Sequence, residues 1–432
     1  MITVDMNINF KRNVSLYYGS ISFEKSFQFL LIWLTTPFVK AEVRRNKLAE
    51  IIKRDFFPNS DGVYSFGSAR SSLTSCLMAA GIGKGDEVLL SSFTCLAVPF
   101  GIIASGATPI YTDINPDTLN VETEAIINSF SLKVRAIVVQ HTLGKSAPIK
   151  AIIEFARTKN LLVMEDCALS IGTKIDDNFL GSFGDASIFS MELSKTISVG
   201  WGGVLVVNCK KLNNSVMNFY NKLPEPGRTA ANRDFIQTVL SSWAYHPKLF
   251  NWFGKYIIFV GYLFGFFRRS TPLWEFQGVI IPGRIFKLGG IQAGLASKQW
   301  SEFHTITQAC RDNAKVLCNL LEDLNIPVLG KEERDEYQIP PRVSFLTSKR
   351  SNIIKYFHEN GIELGQWFDG PLSPVPSNPI FNYCEGTYTF AEFVAERIVN
   401  IPCHLRISKR DLEHIRKTLI AYHNDFPNHF II

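Results

Sequence analysis

Lys195 stands among small and apolar residues in the stretch GDASIFSMELSKTISVGWGG (residues 184–203). Such a lysine can be a solvated charge on a loop, or its amine can form a Schiff base with a carbonyl group. Upstream, the apolar run VMED ends in an acidic pair, Glu165 and Asp166. An acid there is often a loop or N-cap residue, because an unpaired buried carboxylate is costly. Beside a lysine at a neighbouring strand end, it can instead form an ion pair or help to hold a cofactor.

A third segment, FGSARSSL (66–73), has the composition of a phosphate site. It runs into a helix start that carries Arg70 and Ser71, and a helix start favours an anion through its N–H groups and dipole. A serine-capped helix explains these residues equally well. Ser190, at the end of SIFSM, is another candidate, or simply a small residue that fills a strand end. Lysine, acid and phosphate cradle together are what pyridoxal phosphate requires.

The surrounding elements predict where these residues lie. From residue 62 to about 208, apolar strand-like runs alternate with helical patterns such as IKAIIEFA (149–156). This alternation predicts an α/β fold with a mostly parallel central sheet flanked by helices, in which the chemistry lies at the carboxyl ends of the strands. The strand candidates are DEVLLSS (86–92), TPIYTD (108–113), VRAIVVQHT (134–142), NLLVMED (160–166), DASIFSM (185–191) and GVLVVN (203–208).

The composition limits what else the chain could do. Hydrophobic residues make up 46% of the 432 residues and charged residues 19%, as in a globular protein with a large core. The net charge of +6 is mild, and no long basic run indicates a nucleic-acid partner. The eight cysteines are scattered without a C-x-x-C pair, so neither zinc-site spacing nor any metal site is expected. Residues 1–20 do not resemble a signal peptide, which predicts a cytoplasmic protein.

In this order the motifs resemble the DegT/DnrJ/StrS-type sugar aminotransferases, which are pyridoxal phosphate enzymes of fold type I with an aspartate aminotransferase-like fold. The resemblance is nearly collinear over about residues 60–210, resumes at 283–300, and returns weakly at 367–372 and 389–404. Its most specific part is F-S-x-x-x-x-K followed by G-x-G-G. The motifs that carry it are GDEV, SSFT, GATPIYTDINPDTLNV, VVQHTLG, VMEDCALSIG, GDASIFSMELSK, GWGG and GGIQAGL.

The resemblance implies a role for each residue of the site. Lys195 forms the Schiff base and shuttles the proton, and Asp166 pairs with the pyridine nitrogen. Ser190 contacts the phosphate, while Arg70 and Ser71 stand at the phosphate end, where the family usually has threonine and a small residue. Because the dehydratase branch of the family carries histidine in place of this lysine, Lys195 indicates amino transfer.

Four positions of the cofactor site depart from the family's usual pattern. Cys95 stands where an aromatic ring usually covers the cofactor, and Leu169 stands where a glutamine or histidine usually bonds it. Trp201 replaces the glutamate of G-E-G-G. The motif GRIFKLGGIQAGL lacks the asparagine that reaches the phosphate in the partner subunit, and Arg284 is a candidate substitute. These departures predict an outlying member of the family with an unusual substrate.

An aromatic insertion interrupts the α/β pattern. Its run YIIFVGYLFGFF (256–267) is too short to span a bilayer, which takes about 20 apolar residues. Basic residues and tryptophans flank this run, and FQFLLIWL (27–34) is similar in character. Two interpretations are equally open: a helix in the core or a dimer interface, or a segment at 250–269 that lies on a membrane surface.

We therefore predict three parts of the chain. A helical N-terminal segment (1–61) precedes a large cofactor-binding α/β domain (62–300), with the insertion at about 236–275, and a small C-terminal α+β domain (301–432) follows. A fold-type I aminotransferase is expected to be a homodimer with shared active sites. The protein is predicted to lie in the cytoplasm, with attachment to the inner face of the cytoplasmic membrane as the alternative.

The predicted reaction moves an amino group from an amino acid, with glutamate expected, to a keto-sugar. We expect this sugar to be nucleotide-linked and to serve the biosynthesis of a surface polysaccharide or glycan. Two alternatives stay open. One is a pyridoxal phosphate enzyme that acts on a lipid-linked or other membrane-associated keto substrate. The other is a catalytically decayed regulator that still binds pyridoxal phosphate.

Overall fold

The computed structural model describes residues 14–16, 23–281, 284–331, 336–376 and 378–431. Within this part of the chain, short and long strands are spread over the whole length. In chain order the strands are β1 (Gly62–Phe66), β2 (Glu87–Ser91), β3 (Thr94–Cys95), β4 (Thr108–Thr112), β5 (Val134–Gln140), β6 (Leu162–Asp166), β7 (Lys174–Ile175), β8 (Asn178–Phe179), β9 (Ala186–Ser190), β10 (Gly203–Val207), β11 (Glu336–Tyr337), β12 (Arg342–Leu346), β13 (Leu372–Ser373) and β14 (Ile398–Pro402).

Helices connect most of these strands, and a π-helical turn (Phe250–Gly254) follows the ninth helix. The α-helices are α1 (Phe23–Thr35), α2 (Ala41–Asp55), α3 (Ala69–Ala79), α4 (Ala97–Ser105), α5 (Thr123–Asn128), α6 (Ile149–Thr158), α7 (Lys210–Asn221), α8 (Arg228–Ala244), α9 (Pro247–Leu249), α10 (Lys255–Leu263), α11 (Leu273–Phe276), α12 (Gly290–Ser301), α13 (Phe303–Asp323), α14 (Arg350–Glu359), α15 (Thr389–Arg397) and α16 (Lys409–Asp425).

A seven-stranded sheet forms the centre of the molecule, in the order β1-β10-β9-β6-β5-β2-β4. Only β10 runs antiparallel to its neighbours, so the predicted mostly parallel α/β fold is confirmed. The six predicted strands are all present and are one or two residues shorter at their ends.

The central sheet is buried on both faces. Along β10, Val204 and Val206 pack into one hydrophobic core with α2 and α12, while Leu205 and Val207 pack into another with α3 and α4. Successive side chains of a strand point to opposite faces, which is why the strand is apolar without interruption. The helices therefore hold the sheet rigidly, and its carboxyl edge is a fixed platform for a site.

The C-terminal part contains a smaller antiparallel pair, β12 with β14. Helices α13, α14 and α16 pack on this pair through a separate hydrophobic core. The apolar run PRVSFLT (341–347) contains β12. The predicted boundaries at residues 61 and 300 stay predictions.

The described part of the N-terminal segment contains the helices α1 and α2 and a β-bridge from Val14 to Ile362, while residues 1–13 and 17–22 of the predicted segment lie outside the described residues. Helix α1 packs on α8 of the insertion: Trp33 stacks on Phe235, and Trp243 Nε1 donates a hydrogen bond to Ser26 Oγ (3.0 Å). The predicted apolar run 256–267 is not one straight helix, because α10 ends at Leu263. Among the described helices, none has the length and apolarity that crossing a membrane requires.

Candidate active site

The carboxyl edge of the central sheet brings the predicted residues together. Asp166 ends β6 and Ser190 ends β9, and these two strands are parallel neighbours. Strand β1 also ends at this edge, where the chain turns into α3. The loop that carries Lys195 leaves β9 and returns as β10, whose first residue, Gly203, pairs with Ser190.

Lys195 lies in a tight turn after β9. Its backbone N–H donates to the carbonyl of Glu192 (3.0 Å), and its Nζ lies 4.6 Å from the centre of the Trp367 ring. Burial lowers the pKa of the Lys195 amine, an effect that the negative charges of Glu192 and Asp166 oppose. A lowered pKa raises the fraction of neutral amine, which is the form that attacks a carbonyl group.

Asp166 is a buried acid whose Oδ1 accepts a hydrogen bond from the N–H of Ala168 (3.0 Å). Burial raises the pKa of this carboxyl, and the Ala168 N–H and the charges of Lys195 and His141 counteract the rise. A buried carboxylate with few internal partners can accept a hydrogen bond from the protonated ring nitrogen of a ligand.

Glu165, the neighbouring acid, is fully engaged within the protein. Its carboxylate accepts hydrogen bonds from the N–H groups of Gly181, Phe183 and Gly184 (2.7–2.8 Å) and lies 3.1 Å from His141 Nε2. Glu165, His141 and Cys167 place potential metal ligands within 4.8 Å of one another. Because His141 Nδ1 also accepts the N–H of Ala147, we interpret this group as structural.

The start of α3 forms a cradle against the strand edge. Ser68 caps the helix, since its Oγ accepts the N–H of Ser71 (3.1 Å) and contacts Ser71 Oγ (2.9 Å). A side chain at Gly203 would meet the backbone N of Ala69 at 2.3 Å, so glycine is required for the helix start to lie this close to β10. The start of α3 therefore lies close against β10, with the Ser71 hydroxyl in contact with the capping Ser68, and its predicted role in holding a phosphate stays a prediction.

The Arg70 side chain points to the insertion, where its guanidinium forms an ion pair with Glu275. The Glu275 side chain is completely buried, and burial raises its pKa to about 7 in spite of the charges of Arg70, Arg268 and Arg284. A phosphate contact from the Arg70 side chain therefore stays a prediction, and such a contact would compete with Glu275.

Cys95 and Leu169 contribute to an apolar wall. Cys95 lies in β3, which pairs with β13, and both residues belong to the hydrophobic cluster that contains Phe93 and Phe368. Burial raises the pKa of the Cys95 thiol, so this thiol is neutral at physiological pH. Their contact with a cofactor stays a prediction, and neither side chain offers a strong hydrogen bond.

The insertion contacts two more of the positions that depart from the family's pattern, Trp201 and Arg284. The Arg268 guanidinium lies 4.5 Å from the centre of the buried Trp201 ring and 3.3 Å from Asp234. Arg284 is exposed, with its guanidinium 4.7 Å from the centre of the Trp274 ring. Whether Arg284 reaches the phosphate of a partner subunit stays a prediction.

The sequence interpretation missed two residues beside Lys195. Trp367 and Arg342 come from the C-terminal part of the chain, and the Arg342 guanidinium lies 3.4 Å from the centre of the Trp367 ring. Arg342 and His404 line the same small cavity as Lys195. A buried arginine at the start of an apolar strand is the one local signal that could have identified this site.

These residues fit pyridoxal phosphate. The N–H groups at the start of α3 suit a phosphate, the buried Asp166 ends β6, and the half-buried Lys195 lies in the loop after the neighbouring strand β9. When bound, the cofactor supplies an aldehyde for the lysine and a ring that withdraws electrons from the substrate.

The sequence also resembles known proteins. A model of the DegT/DnrJ/EryC1/StrS aminotransferase family matches residues 55–420. A pleiotropic regulatory protein of Geobacillus stearothermophilus is 24% identical over 365 residues, which cover 83% of this chain and 84% of that protein. A GDP-perosamine synthase of Escherichia coli O157:H7 is 38% identical over 143 residues, which cover 33% of this chain and 39% of the synthase.

The fold resembles that of solved aminotransferases. The putative sugar aminotransferase Spr1654 of Streptococcus pneumoniae, in its apo form, superimposes with a TM-score of 0.73 at 15% sequence identity, over 96% of this chain and 98% of that one. The same protein has been solved in PMP and PLP forms. At this identity the likeness concerns the fold, and it agrees with the predicted fold type.

Proposed function

Because the chain belongs to the DegT/DnrJ/EryC1/StrS aminotransferase family, which uses pyridoxal phosphate, we propose that it aminates a keto-sugar carried on a nucleotide, with glutamate as donor. The observation that carries this proposal is the placement of Asp166 at the end of β6 and of Lys195 in the loop that follows the neighbouring parallel strand β9, beside the start of α3. The GDP-perosamine synthase, whose name indicates a nucleotide sugar, supports this acceptor class.

The chain's own residues divide the work between binding and proton transfer. Asp166 keeps the ring nitrogen of the cofactor protonated, and its burial strengthens this interaction. Lys195 would hold the cofactor through its side-chain amine, and the same amine would carry a proton to and from the reacting carbon atoms. The N–H groups at the start of α3, with Ser190, hold the phosphate.

The absorption spectrum of the purified protein tests this proposal. Wild type should show the visible band of bound pyridoxal phosphate, and glutamate should convert the band to that of the amine form. Lys195→Ala should lack the wild-type band. Lys298→Ala is the matched control, because Lys298 is half-exposed and pairs with Glu302. A wild-type spectrum identical to that of Lys195→Ala would overturn the proposal.

Keto-sugar nucleotides and lipid-linked keto-sugars should then be compared as acceptors. Preference for the nucleotide-linked sugars supports the proposal. Preference for the lipid-linked sugars favours the alternative of a membrane-associated substrate. The unusual residues Cys95, Leu169 and Trp201 are the reason for considering this alternative.

A second candidate function is regulation without catalysis. One relative, of which the match covers 84%, is named a pleiotropic regulatory protein. In this case the protein would hold pyridoxal phosphate and yet show no conversion on addition of any amino-acid donor.

We further propose a homodimer whose apolar surface around α1 and the insertion faces an anionic lipid membrane. Between Asp234 and Glu275 the sequence has no acidic residue but contains Lys248, Lys255, Arg268 and Arg269. Large apolar side chains are exposed across this surface: Phe27, Leu31, Phe38, Trp252, Phe259, Leu263 and Phe264. Apolar side chains together with surplus positive charge suit the headgroup region of an anionic bilayer.

Sedimentation with vesicles distinguishes the occupants of this surface. The protein should bind vesicles that contain phosphatidylglycerol and should lose most binding as Trp252→Ser/Phe264→Ser. Its oligomeric state in solution should not change in this variant. If the variant instead becomes monomeric and wild type ignores the vesicles, the surface is an interface between two copies.

A further inference from the structure

A buried ion pair connects the insertion to the start of α3. Arg70 Nη1 donates a hydrogen bond to Glu275 Oε1, and the side chain of Glu275 is completely buried while that of Arg70 is mostly buried. Arg70 is the second residue of α3, and the N–H groups in the first turn of a helix have no acceptor within that helix. Through Arg70, the Glu275 carboxylate is therefore held beside a helix start that favours anions.

This pair leaves both of its partners incompletely bonded. Within the described part of the chain, no acceptor bonds the buried Arg70 Nε and no donor bonds the buried Glu275 Oε2. Arg70 Nη2 lies 3.5 Å from the carbonyl of Ser270, at the limit of hydrogen-bond length. A buried ion pair offsets its desolvation only when the remaining donors and acceptors are also satisfied. An anion that offers more oxygen atoms can therefore take Arg70 from Glu275.

The charges around Glu275 favour such an exchange. The positive charges of Arg70, Arg268 and Arg284 all act on its carboxyl group, and Asp234 adds one further negative charge, 3.3 Å from Arg268. The arginines thus outnumber the acids in this cluster. Burial raises the pKa of Glu275 to about 7 in spite of these arginines, so a proton can readily replace Arg70 as its partner. Loss of Arg70 to another anion therefore does not leave a permanent charge in the interior.

We propose that Glu275 is an internal competitor of the cofactor's phosphate: it holds Arg70 in the apoprotein, and Arg70 moves to the phosphate when pyridoxal phosphate binds. The inference rests on the proposed function, because that function places the phosphate at the start of α3. A phosphate offers three oxygen atoms to the fork of a guanidinium, whereas Glu275 accepts one hydrogen bond from Arg70. Glu275 then takes up a proton from the solvent. An acid of the insertion thereby limits the affinity for the cofactor.

Titration of the apoprotein with pyridoxal phosphate and with pyridoxal, followed by the visible band, tests this inference. The two probes differ in the phosphate alone. In Glu275→Gln, pyridoxal phosphate should bind at least about 10-fold more tightly than in wild type, because Arg70 no longer has a charged partner to leave. Pyridoxal should bind as to wild type. In Arg70→Gln/Glu275→Gln the gain for pyridoxal phosphate should disappear, and pyridoxal should again be unaffected.

Asp234→Asn is the matched control. Asp234 is another buried acid of the insertion, but it pairs with Arg233 and Arg268 instead of Arg70. Both probes should bind to this variant as to wild type. If Glu275→Gln does not fold, Glu275→Asp gives the same comparison, because the shorter side chain withdraws the carboxylate from Arg70. Pyridoxal phosphate should then bind several-fold more tightly, with pyridoxal unchanged.

The role of Glu275 is overturned if pyridoxal phosphate binds to its variants no more tightly than to wild type. An equal gain for both probes, or an equal gain in Asp234→Asn, overturns it as well. All these outcomes are seen in a protein that binds the cofactor. Failure of the proposed function is distinct, because wild type would then form no visible band with either probe.

Discussion

Glu165 and Asp166 are consecutive residues of β6, yet they serve opposite faces of the central sheet. Glu165 accepts three backbone N–H groups around Gly181–Gly184, while Asp166 lies on the side of Lys195. Strand geometry demands this division, because successive side chains alternate between faces. An acidic pair that looks like one feature in the sequence is therefore one structural acid and one candidate site acid.

Asp166→Asn should leave the fold intact and remove the function of the site. The amide keeps the shape of the side chain and loses the charge that stabilises a protonated ring nitrogen. We expect the rate of conversion by glutamate to fall by about 100-fold or more, measured by single-turnover absorbance. The unfolding midpoint of the apoprotein should stay close to that of wild type, and a large drop would contradict the assignment of Asp166 to the site.

Glu165→Gln should have the reverse effect. Its amide would place an NH₂ group against backbone N–H donors that now bind a carboxylate, which leaves buried donors without acceptors. The free energy of unfolding should fall by about 2–4 kcal/mol in urea titrations. The protein that remains folded should still bind pyridoxal phosphate. A variant as stable as wild type would show that these hydrogen bonds contribute little.

The sheet and the main pair of site residues could be predicted because their signals are local. Apolar strands predicted the sheet, and parallel neighbours bring Asp166 and Lys195 to one edge without any long-range information. The Arg70–Glu275 pair could not be predicted, since the return of the insertion to the cofactor end leaves no pattern in the sequence. The proximity of Trp367 and Arg342 to Lys195 could not be predicted for the same reason, because only the packing of β12 and β14 brings them there.

Glu275 makes the stability of the protein depend on pH. Burial raises its pKa to about 7, from a usual value near 4.5, so the folded state holds a proton that the unfolded chain releases in between. Wild-type stability should therefore decrease as the pH rises through this window, by about 3 kcal/mol from this residue. Glu275→Gln lacks this term. In urea titrations the free energy of unfolding of Glu275→Gln, relative to that of wild type, should be about 3 kcal/mol higher at pH 8 than at pH 5. A difference that stays constant between the two pH values would contradict the effect.

His404 should have the opposite slope. Burial lowers its pKa to about 4, so between about pH 4 and 6.5 the unfolded chain binds a proton that the folded protein does not. Its contribution to stability is complete above pH 6.5 and is lost as the pH falls, by up to about 3 kcal/mol. His404→Gln lacks this contribution, so the free energy of unfolding of wild type relative to this variant should rise by up to about 3 kcal/mol between about pH 4 and pH 6.5, measured in urea titrations. Because this slope opposes that of Glu275, wild type alone would hide both, and a wild-type slope in His404→Gln would refute the prediction.

Gly203→Ala tests whether the cradle needs the close approach of α3 to β10. The added methyl group would lie 2.3 Å from the backbone N of Ala69, and backbone atoms cannot move aside as a flexible side chain can. We expect a loss of about 1–3 kcal/mol in the free energy of unfolding. The displaced helix start should also weaken binding of pyridoxal phosphate, measured by titration of its visible band.

Gly227→Ala is the matched control, because a Cβ at this position would meet no atom within 4 Å and its φ of −59° suits alanine. This variant should change neither stability nor cofactor affinity. Equal effects of the two substitutions would mean that the loss comes from the backbone rather than from the contact. If Gly203→Ala is destabilised but binds the cofactor as tightly as wild type, the start of α3 stabilises the sheet edge without holding the phosphate.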